Sequence, residues 1–264
     1  MECRLSSLDF DIAASAGWYS AIAGLLAGFA LLSILLPLDH DTVDHDESET
    51  GEAVVVFTCA FFSLLVLGFS YAVLAGRTGE GSVLGVAAHE QMVYGSAFGL
   101  STILMLFGLH AVLRSYGANR VVFGPAQRVI VLATSVLAPT VLLALQFGSA
   151  MDLAQFRTAA SEGAACGFGG LPSSVWIDVL IVSIALAAVG LMWLLRSRMP
   201  QRSGAPSIAA RAVLGYTVTM AVWGAAVVPL LPADVIAGPW FEHVGLIVSA
   251  LATVGVASAS WMGR

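Results

Sequence analysis

The chain of 264 residues contains few charged side chains and no lysine. Only 11% of its residues are charged, and all 11 basic residues are arginine. The formal net charge is −6 at pH 7 and the isoelectric point is about 5.2, so the chain has no basic field to hold a nucleic acid backbone. Nucleic-acid binding is therefore excluded.

The sequence also lacks the short motifs that mark the common enzyme classes. It contains no Walker phosphate loop, no glycine-rich dinucleotide fingerprint and no His-Glu-x-x-His zinc motif. His89-Glu90 begins such a zinc motif, but Val93 occupies the position of its second histidine. The absence of lysine also excludes the Schiff base through which rhodopsins hold retinal. No cofactor is indicated by any motif.

Long apolar runs, in contrast, are abundant. Hydrophobic residues make up 58% of the chain, and the mean hydropathy is +0.90. Lipid offers no hydrogen-bond partner to the backbone, so a spanning segment must be a helix or part of a closed barrel. These runs are too long for barrel strands. We therefore predict an all-α, polytopic helix bundle in the cell membrane, forming one transmembrane domain over residues 1–264.

Seven apolar runs of about 20 residues are each long enough to cross a bilayer once. They cover residues 17–38, 53–75, 93–113, 128–150, 174–195, 208–230 and 240–261. In a seven-span arrangement, three arginines fall on the N-terminal side of the membrane and eight on the other side. The positive-inside rule then predicts an outside N-terminus and a cytoplasmic C-terminus.

This orientation can be tested with single cysteine reporters in a chain whose native cysteines have been replaced. A membrane-impermeant maleimide added from outside should label a reporter at Ser161, which lies in a predicted outer loop. The reagent should miss a reporter at Ser203, in a predicted cytoplasmic loop. The reverse labelling pattern would contradict the orientation.

Several small or polar residues within the spans predict helix contacts. The pairs Gly24/Gly28 and Gly95/Gly99 have the spacing that lets neighbouring helix backbones approach closely. The amide of Gln146, inside the fourth span, is expected to bond to another helix because lipid cannot satisfy it.

Ionisable residues from distant parts of the chain gather on the predicted outer face. They lie at or near the ends of spans three, five and seven and in the last outer loop: His89, Glu90, Asp178, Asp234, Glu242 and His243. Ionisable groups near membrane depth are costly and often mark functional sites. These residues would suit a metal or a general acid/base site if the three helices adjoin. The alternative is interfacial placement, where each group reaches headgroups and water.

A second candidate metal site is the acidic loop after the first span. It repeats the tripeptide Asp-His-Asp, and its potential ligands are Asp39, His40, Asp41, Asp44, His45 and Asp46. Carboxylates and imidazoles bind Zn²⁺ and similar ions, but no cysteine joins them and the spacing matches no calcium loop or zinc finger. A solvated acidic loop is the alternative interpretation.

The three cysteines divide by predicted location. Cys59 lies inside the second span, where a thiol acts as a small apolar residue and should stay reduced. Cys3 and Cys166 both fall on the predicted outer face, the compartment in which disulfides persist. They are the pair that could form a disulfide there, and two free thiols are the alternative.

Two classes of function remain open. The first is a non-enzymatic membrane protein, either a transporter or channel or a structural subunit, and the missing motifs and short loops favour it. The second is a membrane-embedded enzyme with an outward-facing metal or acid/base site, and the outer-face residues favour it. The expected partners are the lipid bilayer and either other membrane subunits or further copies of the chain.

Overall fold

The computed structural model describes residues 12–38, 47–77, 82–115, 120–160, 174–202, 204–236 and 238–262. Within these ranges the chain forms seven long helices and no β-strand. The helices are α1 (Ile12–Leu38), α2 (Glu47–Ala75), α3 (Ser82–Ser115), α4 (Arg120–Leu132 and Ala138–Ala160, joined by a π-helical turn over Ala133–Leu137), α5 (Val175–Leu194), α6 (Ala205–Val222, continued by a π-helical turn over Trp223–Val227 and a 3₁₀ turn over Val228–Leu230) and α7 (Pro239–Met262). A 3₁₀ turn, Arg196–Arg198, and a short helix, Ala233–Ile236, lie between them.

All seven helices are long and apolar enough to cross a membrane. The predicted all-helical bundle with seven spans is therefore confirmed within the described ranges, and the protein is a multi-pass integral membrane protein. The orientation of its termini stays a prediction. Large apolar side chains cover the outward surface of α1, where Trp18, Leu25 and Leu32 are more than half exposed. Such a surface is suited to lipid rather than water.

Helix α3 lies at the centre of the bundle. It packs against α1, α2, α4, α6 and α7, whereas α1 packs chiefly on α2, and α5 chiefly on α4 and α7. Helices α1, α3, α5 and α7 begin at the same end of the bundle, which we call the N-terminal face. A hydrogen bond of 3.3 Å from Ser15 Oγ to Gln91 Oε1 joins the starts of α1 and α3 at this face.

Two helix pairs approach each other closely at glycines of α3. A Cβ atom added at Gly99 would overlap the side chain of Leu142 on α4, and one added at Gly108 would lie 2.6 Å from Phe57 Cζ on α2. The predicted contact at Gly95/Gly99 therefore exists. At Gly24 and Gly28 an added Cβ would meet no atom within 4 Å, so no close side-chain contact requires glycine there, although a Cβ added at Gly68 of α2 would lie 4.0 Å from Gly24 N.

Both π-helical turns lie just before a proline. Pro139 follows the turn in α4, and Pro229 follows the turn in α6. Proline has no N–H to donate and crowds the preceding turn, which a wider helical turn accommodates. The turn in α6 also places Gly224 against Tyr94, whose Cε1 would lie 2.6 Å from a Cβ at that position.

Two other expectations concern the cysteines. Cys59 is a buried free thiol, as predicted for a small apolar residue in α2. Cys3 and Cys166 lie outside the described residues, so their disulfide stays a prediction.

Candidate functional site at the start of helices α5 and α7

Three of the predicted outer-face residues meet where α5 packs against α7. Asp178 lies in the first turn of α5, and Glu242 lies in the first turn of α7, next to His243. Pro239 opens α7, a position at which proline's missing N–H costs no helical hydrogen bond. Acidic residues are favourable in the first turn of a helix because the N-terminal end carries a partial positive charge.

The three side chains are close enough to share one ion. One ligand atom from each of Asp178, Glu242 and His243 lies within 4.8 Å of the other two. His243 Nδ1 and Asp178 Oδ1 are 2.7 Å apart and hydrogen-bonded. Asp178 and Glu242 are each only 1% exposed, and the His243 side chain is 15% exposed. We call these three residues the carboxylate–histidine cluster.

Asp178 retains bonding capacity in this cluster. Its Oδ1 atom pairs with His243, but its Oδ2 atom is buried and has no hydrogen-bond partner among the described residues. A buried polar atom without a partner is costly, and a bound metal ion is one way in which a protein satisfies such an atom. Two carboxylates and one imidazole are ligands that Zn²⁺ and related divalent cations accept.

Glu90 takes part in a different interaction. Its Oε1 atom forms an ion pair of 2.7 Å with Arg77 Nη2, at the turn that leads from α2 to α3. Glu90 is 1% exposed, whereas the Arg77 side chain is 26% exposed. The buried carboxylate is thus neutralised by an arginine from the preceding connection, so it is not available to the carboxylate–histidine cluster.

His89 lines a cavity between α3, α6 and α7. Its ring contacts Phe241 edge-on, with the ring centroids 5.1 Å apart. Trp223 and Trp240 line the same cavity, which has a volume of about 200 Å³. Because a helix turns about 100° per residue, Glu242 and His243 project from other faces of α7 than Phe241. The structure therefore does not bring His89 into the carboxylate–histidine cluster.

The side chains of the remaining predicted ligands lie outside the described part of the structure. Asp234 belongs to the short helix Ala233–Ile236, and its side chain lies outside the described part of the structure. The Asp-His-Asp loop, with Asp39, His40, Asp41, Asp44, His45 and Asp46, also lies outside the described residues. Both stay predictions.

Gln146 makes the helix contact expected of it. In the amide orientation that satisfies both groups, its nitrogen donates to Met92 O at 3.2 Å and its oxygen accepts from Ser96 N at 2.9 Å. Gly95 lies beside this contact, where an added Cβ would be 3.3 Å from the Gln146 amide. Because Gly95 has no side chain, the Gln146 amide has room to reach the backbone of α3.

Sequence reasoning missed two features of this end of the bundle. One is the role of Arg77 as the partner of Glu90, which the short connection between α2 and α3 could have suggested. The other is the hydrogen bond of 2.6 Å between Ser96 Oγ and Tyr216 Oη. It joins α3 to α6, and no sequence pattern indicated that these helices adjoin.

No protein-family model, no curated protein and no solved structure matches this chain. The function is therefore inferred from the geometry of the site.

Proposed function

We propose that the protein is a non-enzymatic membrane transporter for a divalent cation of the Zn²⁺ class, and that Asp178, Glu242 and His243 bind the cation. The observation that carries this proposal is the convergence of two buried carboxylates and an imidazole within 4.8 Å. Intramembrane ionisable groups of this kind commonly mark ion pathways.

The charge of the cluster favours a divalent cation. Burying a carboxylate away from water costs several kcal/mol unless an opposite charge or a metal compensates it. Asp178 and Glu242 together carry two negative charges when ionised, and a divalent cation balances both. Oδ2 of Asp178 offers an unused donor atom to such an ion.

A line of buried polar side chains supports transport rather than a static metal site. Ser249, Thr253 and Ser260 follow Glu242 on α7 at offsets of 7, 11 and 18 residues, and all three are buried. These offsets place them on one face of the helix. Ser249 Oγ has no hydrogen-bond partner among the described residues.

The line ends at a second polar group on the opposite face of the bundle. Ser260 lines a small cavity of about 10 Å³ together with Glu52, His110 and Arg114. His110 is half-buried at this cavity. Polar groups therefore extend along α7 from the carboxylate–histidine cluster to the far end of the bundle, as an ion path would require.

The alternative of a metal enzyme would require a substrate cavity beside the cation. The cavity of about 200 Å³ near α7 is lined by Phe241, Val244 and Val248, which lie on a different face of α7 from Glu242 and His243. This separation favours transport over catalysis.

Cation binding can be measured on the purified protein after removal of bound metal by EDTA. Zn²⁺ should bind saturably to the wild-type protein and raise its melting temperature, because a ligand that binds only the folded state stabilises it. Asp178→Asn and His243→Gln should each weaken binding by on the order of 100-fold, since each removes a ligand. The matched control is Asp152→Asn, a half-buried carboxylate of α4 outside the cluster, which should bind Zn²⁺ normally.

Transport is tested with the same variants in proteoliposomes that contain a Zn²⁺-sensitive dye. The wild-type protein and Asp152→Asn should admit Zn²⁺ down its gradient, whereas Asp178→Asn should not. Absence of Zn²⁺ binding would contradict the assigned site. Binding by the cluster without uptake by the wild-type protein would contradict the transporter and leave a static metal centre.

A further inference from the structure

The cavity beside His89 has walls suited to a flat ring. Trp223, Trp240 and Phe241 line one side, with the Phe241 ring centroid 6.1 Å from that of Trp223 and 4.1 Å from that of Trp240. An engineered protein cavity of about 150 Å³ holds a benzene molecule. The volume here, about 200 Å³, is therefore sufficient for one substituted six-membered ring.

His89 supplies an unused hydrogen-bonding group to this cavity. The residue is 4% exposed and lines the cavity wall. Its described contact is the edge-on packing against Phe241, and its imidazole makes no hydrogen bond to any described residue. The imidazole is therefore available to hydrogen-bond a polar atom of a ligand in the cavity.

A second polar position lies along α3 in the same cavity. Ser96 and Tyr216 line it and are hydrogen-bonded to each other at 2.6 Å. Ser96 follows His89 by seven residues on one face of α3, so the two side chains begin about 10 Å apart along the helix axis. Ser96 Oγ donates to Val93 O at 2.8 Å, and when it donates to Tyr216 Oη instead, the Tyr216 hydroxyl is free to donate to a ligand oxygen. Two ring oxygens on opposite carbons, about 5 Å apart, with a hydrogen bond of about 2.8 Å at each end, cover a length comparable to this rise.

The gap between α6 and α7 continues beyond Tyr216 as a largely apolar groove. A second cavity of about 420 Å³ lies there, and Tyr216 lines both cavities. Its walls include Leu100, Val213 and Val256 and several alanines of α6 and α7, and Arg202, which precedes α6, also lines it. Val244 and Val248, on the rim of the first cavity, are exposed on the membrane-facing surface. A ligand can therefore have a ring in the first cavity and an apolar tail in the second.

We propose that this pair of cavities binds a lipid-soluble quinone, with its ring between His89 and the Ser96–Tyr216 pair and its apolar tail in the groove between α6 and α7. The lining of the first cavity favours an uncharged ring there over a phosphate headgroup, whose charge Arg202 could meet only in the second cavity. Among the described residues that line the first cavity, none carries a fixed charge to hold a phosphate headgroup. The polar groups are instead neutral ones at two separated positions, as the two oxygens of a quinone require.

The quinone site is independent of the proposed cation site. The two use different faces of α7, and no residue of the carboxylate–histidine cluster lines either cavity. Quinone binding can therefore be measured in the presence of EDTA, and its outcome does not depend on the transporter proposal.

The test uses the full chain in lipid nanodiscs titrated with decylubiquinone. Because Trp223 and Trp240 line the cavity, bound quinone should quench tryptophan fluorescence saturably. His89→Phe removes the hydrogen-bonding group while keeping an aromatic ring, and Val244→Phe fills the cavity from its rim. Each should raise the apparent Kd at least about tenfold, the effect of losing about 1.4 kcal/mol of binding free energy. Val222→Phe makes the same change at an exposed position of α6 outside the cavities and should leave the Kd unchanged.

Two results would overturn the proposal. The first is quenching that does not saturate, or that is the same in the wild-type protein and in all three variants. Either result would indicate quinone dissolved in the surrounding lipid. The second is equal affinity for decylubiquinone and for the same ring without its tail, because it would contradict the assignment of the groove. The melting temperature of each variant shows whether it is folded. Loss of binding by a folded variant is then due to the change in the cavity.

Discussion

Replacing Arg77 with Gln should lower the free energy of unfolding by about 1–3 kcal/mol, because it leaves the buried Glu90 carboxyl group without its charged hydrogen-bond partner. Glu90 is only 1% exposed, so it depends on Arg77 for its charged partner. The measurement is unfolding by sodium dodecyl sulfate in mixed micelles, followed by circular dichroism. A loss of this size would be a large fraction of the stability of a typical domain.

Two further variants test the cause of that loss. Arg77→Gln/Glu90→Gln removes both charges and should recover most of the stability, since replacing a buried ion pair by neutral groups is often nearly neutral. Arg128→Gln makes the same change at an exposed arginine of α4 and should have little effect. An unchanged stability in Arg77→Gln would show that the ion pair does not hold Glu90 in its buried position.

Replacing Gly108 with Ala should destabilise the bundle by about 1–3 kcal/mol, because the added methyl group would overlap the ring of Phe57. The new Cβ would lie 2.6 to 2.8 Å from three atoms of that ring. Phe57 is 3% exposed and closely packed, so the ring can move only if α2 and α3 separate. The same unfolding measurement reports the loss.

The matched control is Gly28→Ala on α1, where an added Cβ meets nothing within 4 Å. It should leave stability unchanged or slightly raised, since alanine is a better helix former than glycine. Phe57→Leu/Gly108→Ala should recover part of the loss by shortening the obstructing side chain. Equal effects of Gly108→Ala and Gly28→Ala would contradict the close packing of α2 against α3.

The number and position of the helices could be predicted from the sequence because lipid imposes a minimum apolar length on each span. Their ends could not be predicted as well. Helix α3 begins at Ser82, although its apolar run begins near residue 93, because His89 and Glu90 interrupt the run without interrupting the helix. The helical backbone hydrogen bonds continue through His89 and Glu90 because both side chains are buried within the bundle. A hydropathy profile falls at such residues and therefore places the start of the helix too late.

The composition of the candidate site depended on information that the sequence does not contain. Six ionisable residues share the predicted outer face, but among the described side chains only Asp178, Glu242 and His243 meet. The separation of His89 from that cluster follows from which helices adjoin and how each is rotated about its axis. Both are set by packing contacts between distant parts of the chain. Gly99 and Gly28 belong to pairs of the same spacing, yet only Gly99 packs closely against another helix.

The division of the carboxylate–histidine cluster between α5 and α7 has a consequence for biosynthesis. The ribosome delivers Asp178 to the membrane before it has made Glu242 and His243, and of the two chief neighbours of α5 in the complete bundle only α4 has then been made. During that interval the buried carboxylate of Asp178 has neither its imidazole partner nor the rest of the cluster. Insertion of α7 therefore completes the cluster and the core around α3 together, so that the proposed cation affinity would be acquired only by chains whose assembly has reached this helix.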